Sequence, residues 1–155
     1  MSKISVVSFF EDKHFDIDLI ELEDSATVVK AAESIGVETN DIAKTLSFHV
    51  GDDVIVVVMS GDARIDNKKY KEYFGVKAKM LSFEEVEPLT GHPVGGVCPF
   101  GLNDNVKVYL DESLKELEYV YPAAGAFNCA LKIKPSEMAE LTNATWIDVC
   151  EIRQN

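Results

Sequence analysis

A chain of 155 residues, 46% apolar and 27% charged, fits a single domain spanning 1–155. Chains of roughly this size bury about 70% of their unfolded surface without needing a disulfide or a structural metal. A formal charge of −12 argues against a protein that coats nucleic acid, because Lys and Arg on phosphate supply most non-specific affinity.

The N-terminal stretch from Met1 to Phe10 is too short and too polar in its apolar part for a secretory signal. No run reaches membrane-spanning length, so the expected location is the cytoplasm and no membrane partner is expected. Cys98, Cys129 and Cys150 are odd in number and far apart, which fits reduced thiols and neither a disulfide framework nor a CxxC metal pattern.

The first clear helix is predicted from about Ser25 to Ile35. Asp24 or Ser25 can cap it, Val28, Ala31, Ala32 and Ile35 share one face, and Gly36 can take the left-handed stop. A helical turn over Asn40 to Lys44 follows. Thr45–Val50 and Val54–Ser60 read as a hairpin around Gly51-Asp52-Asp53, and the second strand is apolar enough to be buried on both faces, hence central. Asp66 or Asn67 to Phe74 should be helical up to Gly75. Ser82-Phe83-Glu84-Glu85 is a capping box that opens a helix ending before Gly91.

Beyond a Gly/Pro-dense loop from Gly91 to Gly101, strands are predicted at Val106–Leu110, Tyr119–Tyr121, Cys129–Ile133 and Thr145–Val149. Helices are predicted around Glu112–Leu117 and from Pro135 to Leu141. Short strands mixed irregularly with helices indicate an α+β fold around a mixed, curved sheet.

Three segments carry candidate chemistry. Lys44 sits where a turn passes into an apolar strand; its ammonium either points to solvent or enters a cleft, where it can hold a phosphate or polarise an ester carbonyl. The segment Thr90 to Gly101 packs four glycines and two prolines into twelve positions. Such a loop is either structural or a site where Gly95 and Gly96 let a ligand approach backbone N–H groups that serve as anion or oxyanion donors. Within it, His92 is a general base or a structural residue, and Cys98 is a nucleophile or an inert buried thiol. Tyr121 to Asn128 offers small residues that line a narrow pocket or simply pack.

Charge is unevenly spread. Between Arg64 and Lys79 six basic residues face two acidic ones, a local +4, and the remainder carries −16. Arg64, Lys68, Lys69 and Lys71 are therefore either a solvated helix face or a contact for a short length of nucleic-acid backbone. His14 and His49 lack zinc spacing, and neither GxSxG nor GxGxxG occurs, so no metal and no nucleotide cofactor are expected.

Taken in order, Ala43-Lys44-Thr45-Leu46, the hairpin, Gly95-Gly96-Val97-Cys98-Pro99-Phe100-Gly101 and Ala124-Gly125 before a strand resemble the YbaK/ProX family, over roughly Asp24 to Val149. That family includes free-standing trans-editing enzymes and the editing domain inserted in bacterial prolyl-tRNA synthetases. The resemblance implies a YbaK-like fold and an aminoacyl-tRNA deacylase without cofactor. Mischarged tRNA, carrying cysteine or alanine on the proline or a related acceptor, would be the substrate, with prolyl-tRNA synthetase or an elongation factor as a further partner. It carries Lys44 and Gly95 to Pro99 over as catalytic positions. Thr45, His92, Phe100, Gly101, Ala124 and Gly125 follow as substrate-binding ones, and a pocket walled by Pro99, Phe100, Ala124 and Gly125 is expected. Thr45 matches YbaK-like members, where alanine-specific ones tend to have Asn. After Gly125 this chain has Ala126-Phe127-Asn128 where some members carry basic residues. Two other readings remain open: a non-catalytic tRNA- or synthetase-binding module of the same fold, and a thiol hydrolase using Cys98 with His92.

Overall fold

The computed structural model describes residues 2–23, 27–126 and 128–152. Its centre is a five-stranded mixed sheet in the order β6-β2-β3-β5-β8, formed by Tyr121–Pro122, Ile42–Val50, Asp53–Ser60, Lys107–Asp111 and Thr145–Ile147. β2 and β3 are antiparallel, joined by the tight turn at Gly51-Asp52, while β6, β5 and β8 join as parallel neighbours. Two small antiparallel pairs flank the sheet: β1 (Leu19–Glu21) with β7 (Cys129–Leu131), and β4 (Ala63–Ile65) with β9 (Cys150–Ile152).

β3 is central, as its composition predicts: every residue from Ile55 to Ser60 is buried, so both faces are covered. On one face, Phe48, Ile55, Val57 and Met59 pack against Tyr70 and Phe74 of α3 (Asn67–Phe74). On the other, Ala43, Val58 and Leu110 meet Cys98, Phe100 and residues of α1 (Ser2–Asp12).

The caps fall largely where the residue types put them. α2 (Val28–Ile35) ends on Gly36 at φ 88°, and α3 takes its first amides on Asp66 and ends on Gly75 at φ 78°. α4 (Phe83–Thr90) has both halves of its Ser82/Glu85 capping box and stops at Gly91. α5 (Pro135–Thr142) opens on Pro and closes on Asn143 in the left-handed region. α2 begins later than its pattern suggests, capped by Thr27 Oγ1 accepting from the Lys30 N–H at 3.1 Å; Asp24 and Ser25 lie outside the described residues.

Other boundaries move inward. The turn before β2 is a 3-10 turn over Thr39–Asp41, so Lys44 lies inside the strand, and the segment after β5 keeps only a 3-10 turn at Glu112–Leu114. The strand expected at 119–121 is displaced to Tyr121–Pro122, and those expected at 129–133 and 145–149 contract to three residues each. At the end of β5, buried Asp111 accepts from the N–H groups of Ser113 and Val149 at 2.9 Å each, a satisfied carboxylate that draws β5 and the chain after β8 together.

α1 has no counterpart among the sequence-predicted elements. Val6 and Phe10, four residues apart and fully or almost fully buried, anchor it, and Phe10 meets the rings of Phe9, Phe15 and Phe100 at centroid distances of 4.6 to 5.7 Å. Gly101, at φ 65°, lets the chain pass so close beneath α1 that a Cβ there would lie 2.7 Å from the Ser5 carbonyl oxygen. Removing the Phe10 ring should therefore be costly: Phe10→Ala is expected to lower unfolding free energy by about 3–5 kcal/mol in denaturant titrations.

α4 is held to β2 by its cap. The Glu85 carboxylate accepts the Ser82 N–H at 2.9 Å and lies 3.0 Å from His49 Nε2. The Ser82 backbone bond first, then His49, holds the carboxyl well below its ordinary 4.5, at about 2. A depressed acid contributes stability above its unfolded value and loses it as pH falls through the folded one. The melting-temperature gap between wild type and Glu85→Gln should thus narrow as pH falls from 4.5 towards 2.

Candidate active site

A cavity of about 310 Å³ opens beside β2. One wall is the apolar face of α2, with Val28, Ala31 and Ile35; another is β2 itself, from Ile42 to Ser47. Met80 and Val86 close it on the α4 side, Val94, Gly95 and Val97 on the loop side, and Tyr121, Ala123 and Ala130 at the back. The 3.6-residue spacing that makes α2 a packing helix thus also presents its aliphatic face to this space.

Lys44 and Thr45 line the cavity from β2, and Gly95 and Val97 line it from the loop, so two segments fifty residues apart in sequence share it. Lys44 Nζ lies 3.4 Å from the Gly61 carbonyl oxygen, and the side chain is half-buried. Gly61 has no room for a side chain: a Cβ would meet Val28 Cγ1 at 2.7 Å as well as the Thr39 carbonyl. The oxygen facing Lys44 is therefore fixed in place. Thr45 Oγ1 is buried without a hydrogen-bond partner.

The rest of the loop stands behind this surface. The Gly96 N–H closes a turn onto the Pro93 carbonyl at 2.9 Å, and a Cβ on Gly96 would lie 2.7 Å from Ala126 N and 2.9 Å from Gly125 C. The glycine loop and the Ala124-Gly125 segment are thus in backbone contact, which only glycine permits. Ala124 is fully buried and its N–H donates to the Cys129 carbonyl at 2.9 Å. Pro99, Phe100, Ala124 and Gly125 are buried and are not among the residues that line this cavity, and Gly101 is taken up by α1.

His92 is fully buried and away from the cavity lining. Its Nε2 is 2.6 Å from the Phe100 carbonyl, which requires the proton on Nε2, and burial lowers its pKa, so the ring is neutral. Nδ1 has no partner. Cys98 Sγ lies 3.6 Å from Nε2 and 3.5 Å from the same carbonyl, in full burial that pushes its thiol up to about 12. A thiol with that pKa, beside an imidazole nitrogen that already carries a proton, is poorly set up for deprotonation.

The basic stretch is divided. Arg64 Nε pairs with Glu151 at 2.6 Å, and Lys69 Nζ binds Asp148 at 3.0 Å and the Cys150 carbonyl at 2.9 Å. The hydrogen bond to Asp148 raises the Lys69 pKa. Lys68 and Lys71 are exposed on the same helix, and none of the four lines the cavity. Among the described residues no group of three His, Cys, Asp or Glu could hold a metal ion, and no helix is long and apolar enough to cross a membrane.

Sequence reasoning misses Leu22, Met80, Val94 and Ala123 as lining residues. Met80 carries the one usable signal, an exposed apolar side chain between a basic stretch and a capping box.

The model of the aminoacyl-tRNA editing domain matches residues 23–141. The chain is 51% identical over 154 residues to an uncharacterized protein, YwhH, of Bacillus subtilis (strain 168), covering 97% of this chain and 98% of that one. It is 30% identical over 130 residues to a protein of Enterococcus faecalis (strain ATCC 700802 / V583) described as a putative Cys-tRNA(Pro)/Cys-tRNA(Cys) deacylase, covering 82% and 79% of the two chains. A crystal structure described as a putative trans-editing enzyme for prolyl tRNA synthetase superposes with a TM-score of 0.89 at 32% identity, covering 97% of both chains. On the matched domain, the fold and the ordered motifs around Lys44 and Gly95 together, the chain belongs to the aminoacyl-tRNA editing domain family, the YbaK/ProX family.

Proposed function

We propose that the protein is a trans-editing hydrolase that deacylates tRNA carrying a small, wrongly attached amino acid, cysteine or alanine, on the proline or a related acceptor. The observation that carries this reading is that Lys44, Gly95 and Val97 line one small, mostly apolar cavity. The names of the Enterococcus relative and of the trans-editing structure agree with it.

An aminoacyl ester is already activated, so the site has to orient water, stabilise an oxyanion and select the side chain. The amino-acid side chain enters the cavity between α2 and Val97. Backbone N–H groups of the loop face the ester carbonyl, and Lys44 holds the terminal adenosine or its phosphate. Water adds to the carbonyl carbon and the bond to the ribose oxygen breaks. That oxygen takes up a proton, and the neighbouring ribose hydroxyl assists the water. Selection is by size: one methylene in an apolar pocket is worth about 1–3 kcal/mol, so a second sieve is needed where the synthetase alone discriminates poorly.

With a charge of −12 and two of the four basic side chains Arg64, Lys68, Lys69 and Lys71 already paired, affinity for naked tRNA should be weak. A synthetase or an elongation factor would then bring the substrate.

Lys44→Ala is expected to lower deacylation by about 100-fold or more while leaving the melting temperature near that of wild type. Full activity in that variant would sink the assignment. Because the thiol is protonated and lies behind the cavity wall, Cys98→Ala should stay within about threefold of wild type, and its loss of activity in a folded state would favour covalent catalysis. Both are measured on tRNAs charged with alanine, cysteine, serine, threonine and proline, with cysteine or alanine released fastest.

A further inference from the structure

β2 is covered on its outer edge at both ends and open between. Near its C-terminal end, the His49 N–H donates to the Lys79 carbonyl at 2.8 Å and the Ser47 carbonyl accepts from the Leu81 N–H at 3.1 Å. At its N-terminal end, β6 pairs with Ile42 and Ala43 and then departs, because Ala123 pairs with Ala130 and the Ala124 N–H goes to the Cys129 carbonyl. Lys44, Thr45 and Leu46 are left between these two covers, and all three line the cavity.

Main-chain groups of alternate residues in a strand point to alternate edges. Ser47 and His49 bond outward, away from β3, and the Ile42 carbonyl bonds inward to the Gly61 N–H. The N–H and C=O of Thr45 therefore face the open interval. Among the described residues no backbone group pairs with them there. An unpaired amide and carbonyl on a sheet edge are costly in a closed interior and a ready template for an extended ligand at a cavity.

We infer that the main chain of Thr45 grips the α-amino-acid backbone of the substrate: its carbonyl accepts from the α-ammonium group and its N–H donates to the ester carbonyl oxygen. The aminoacyl group then stands in for one residue of the strand missing between β6 and the 79–81 segment. This rests on the deacylase reading and deepens it, adding a donor from β2 opposite the loop. It also separates two tasks: the sheet edge recognises what all amino acids share, and the apolar cavity measures the side chain.

The test compares two non-hydrolysable adenosines, each with a 3′-amide in place of the ester, one carrying alanine and one carrying propionic acid, which differ only in the α-ammonium. Alanine is chosen so that side-chain size does not limit entry. Titrated into the ¹⁵N-labelled full chain, the alanyl compound should move the Thr45 amide resonance downfield and slow its hydrogen exchange. The propionyl compound should bind about tenfold or more weakly, the loss expected for one charge-assisted hydrogen bond. If the alanyl compound shifts the Gly95 and Val97 amides but leaves Thr45 unmoved, or if both compounds bind equally, the role of Thr45 is overturned and the deacylase reading survives. If neither compound perturbs any cavity residue, both fall together.

Discussion

One buried hydrogen bond sets the geometry of the site: His92 Nε2 to the Phe100 carbonyl, at 2.6 Å. It closes the segment between α4 and β5 on itself, fixing a loop that regular secondary structure does not reach. The ends of this closed loop are then used twice. Phe100 and Gly101 are packed against α1, and Gly96 is pressed on the backbone of Gly125 and Ala126, so Gly95 and Val97 are held at the cavity from two sides. A neutral imidazole suits this task, because a charged one in full burial would need a partner that is absent at Nδ1.

The residues most legible in the sequence were those whose roles are local. Thr45 to Ser60 declares a hairpin through β-branched content and a Gly-Asp turn, and Ser82/Glu85 and Gly36, Gly75 and Gly91 declare their helix ends by conformational chemistry that needs no partner. Lys44 and the glycine loop were legible as an ordered pair of motifs. What stayed hidden depends on distant contacts. α1 is a weakly amphipathic run with Ile, Val and Phe that becomes a helix because Val6 and Phe10 find Phe100 and the far core. β1, β4 and β9 are three residues each and exist through their pairings alone. Whether Phe100 and Ala124 wall a pocket or stand behind it is likewise a matter of loop packing, which no spacing in the chain records.

The charge distribution takes on a different meaning once the pairs are visible. Arg64 and Lys69 look like phosphate contacts in sequence, yet each lies on an acidic residue near the C-terminal strand, 87 and 79 positions away. Exposed pairs of this kind contribute little to stability, but they reduce the positive potential of the stretch from Arg64 to Lys79. The acidic body is therefore less relieved by a basic patch than counting implies, and under the proposed function the substrate would be recognised chiefly through its aminoacyl end.

Recognition at that end favours backbone over side-chain chemistry. Cys98, the one nucleophile in the loop, is enclosed and held as a thiol, and the residues that line the cavity from β2 and the loop are Lys44, Thr45, Gly95 and Val97. Backbone amides are donors whose positions are set by the fold, with no rotamer to freeze and no proton to lose, so they can be aimed before the substrate arrives. The same rigidity suits a sieve. An apolar wall drawn from α2 and Val97 can exclude by size only if its opposite side does not yield, and that opposite side is β2, hydrogen-bonded along its length to β3, whose residues Ile55 to Ser60 are buried. Catalytic positioning and side-chain exclusion thus draw on one piece of structure, the strand that carries Lys44 and Thr45.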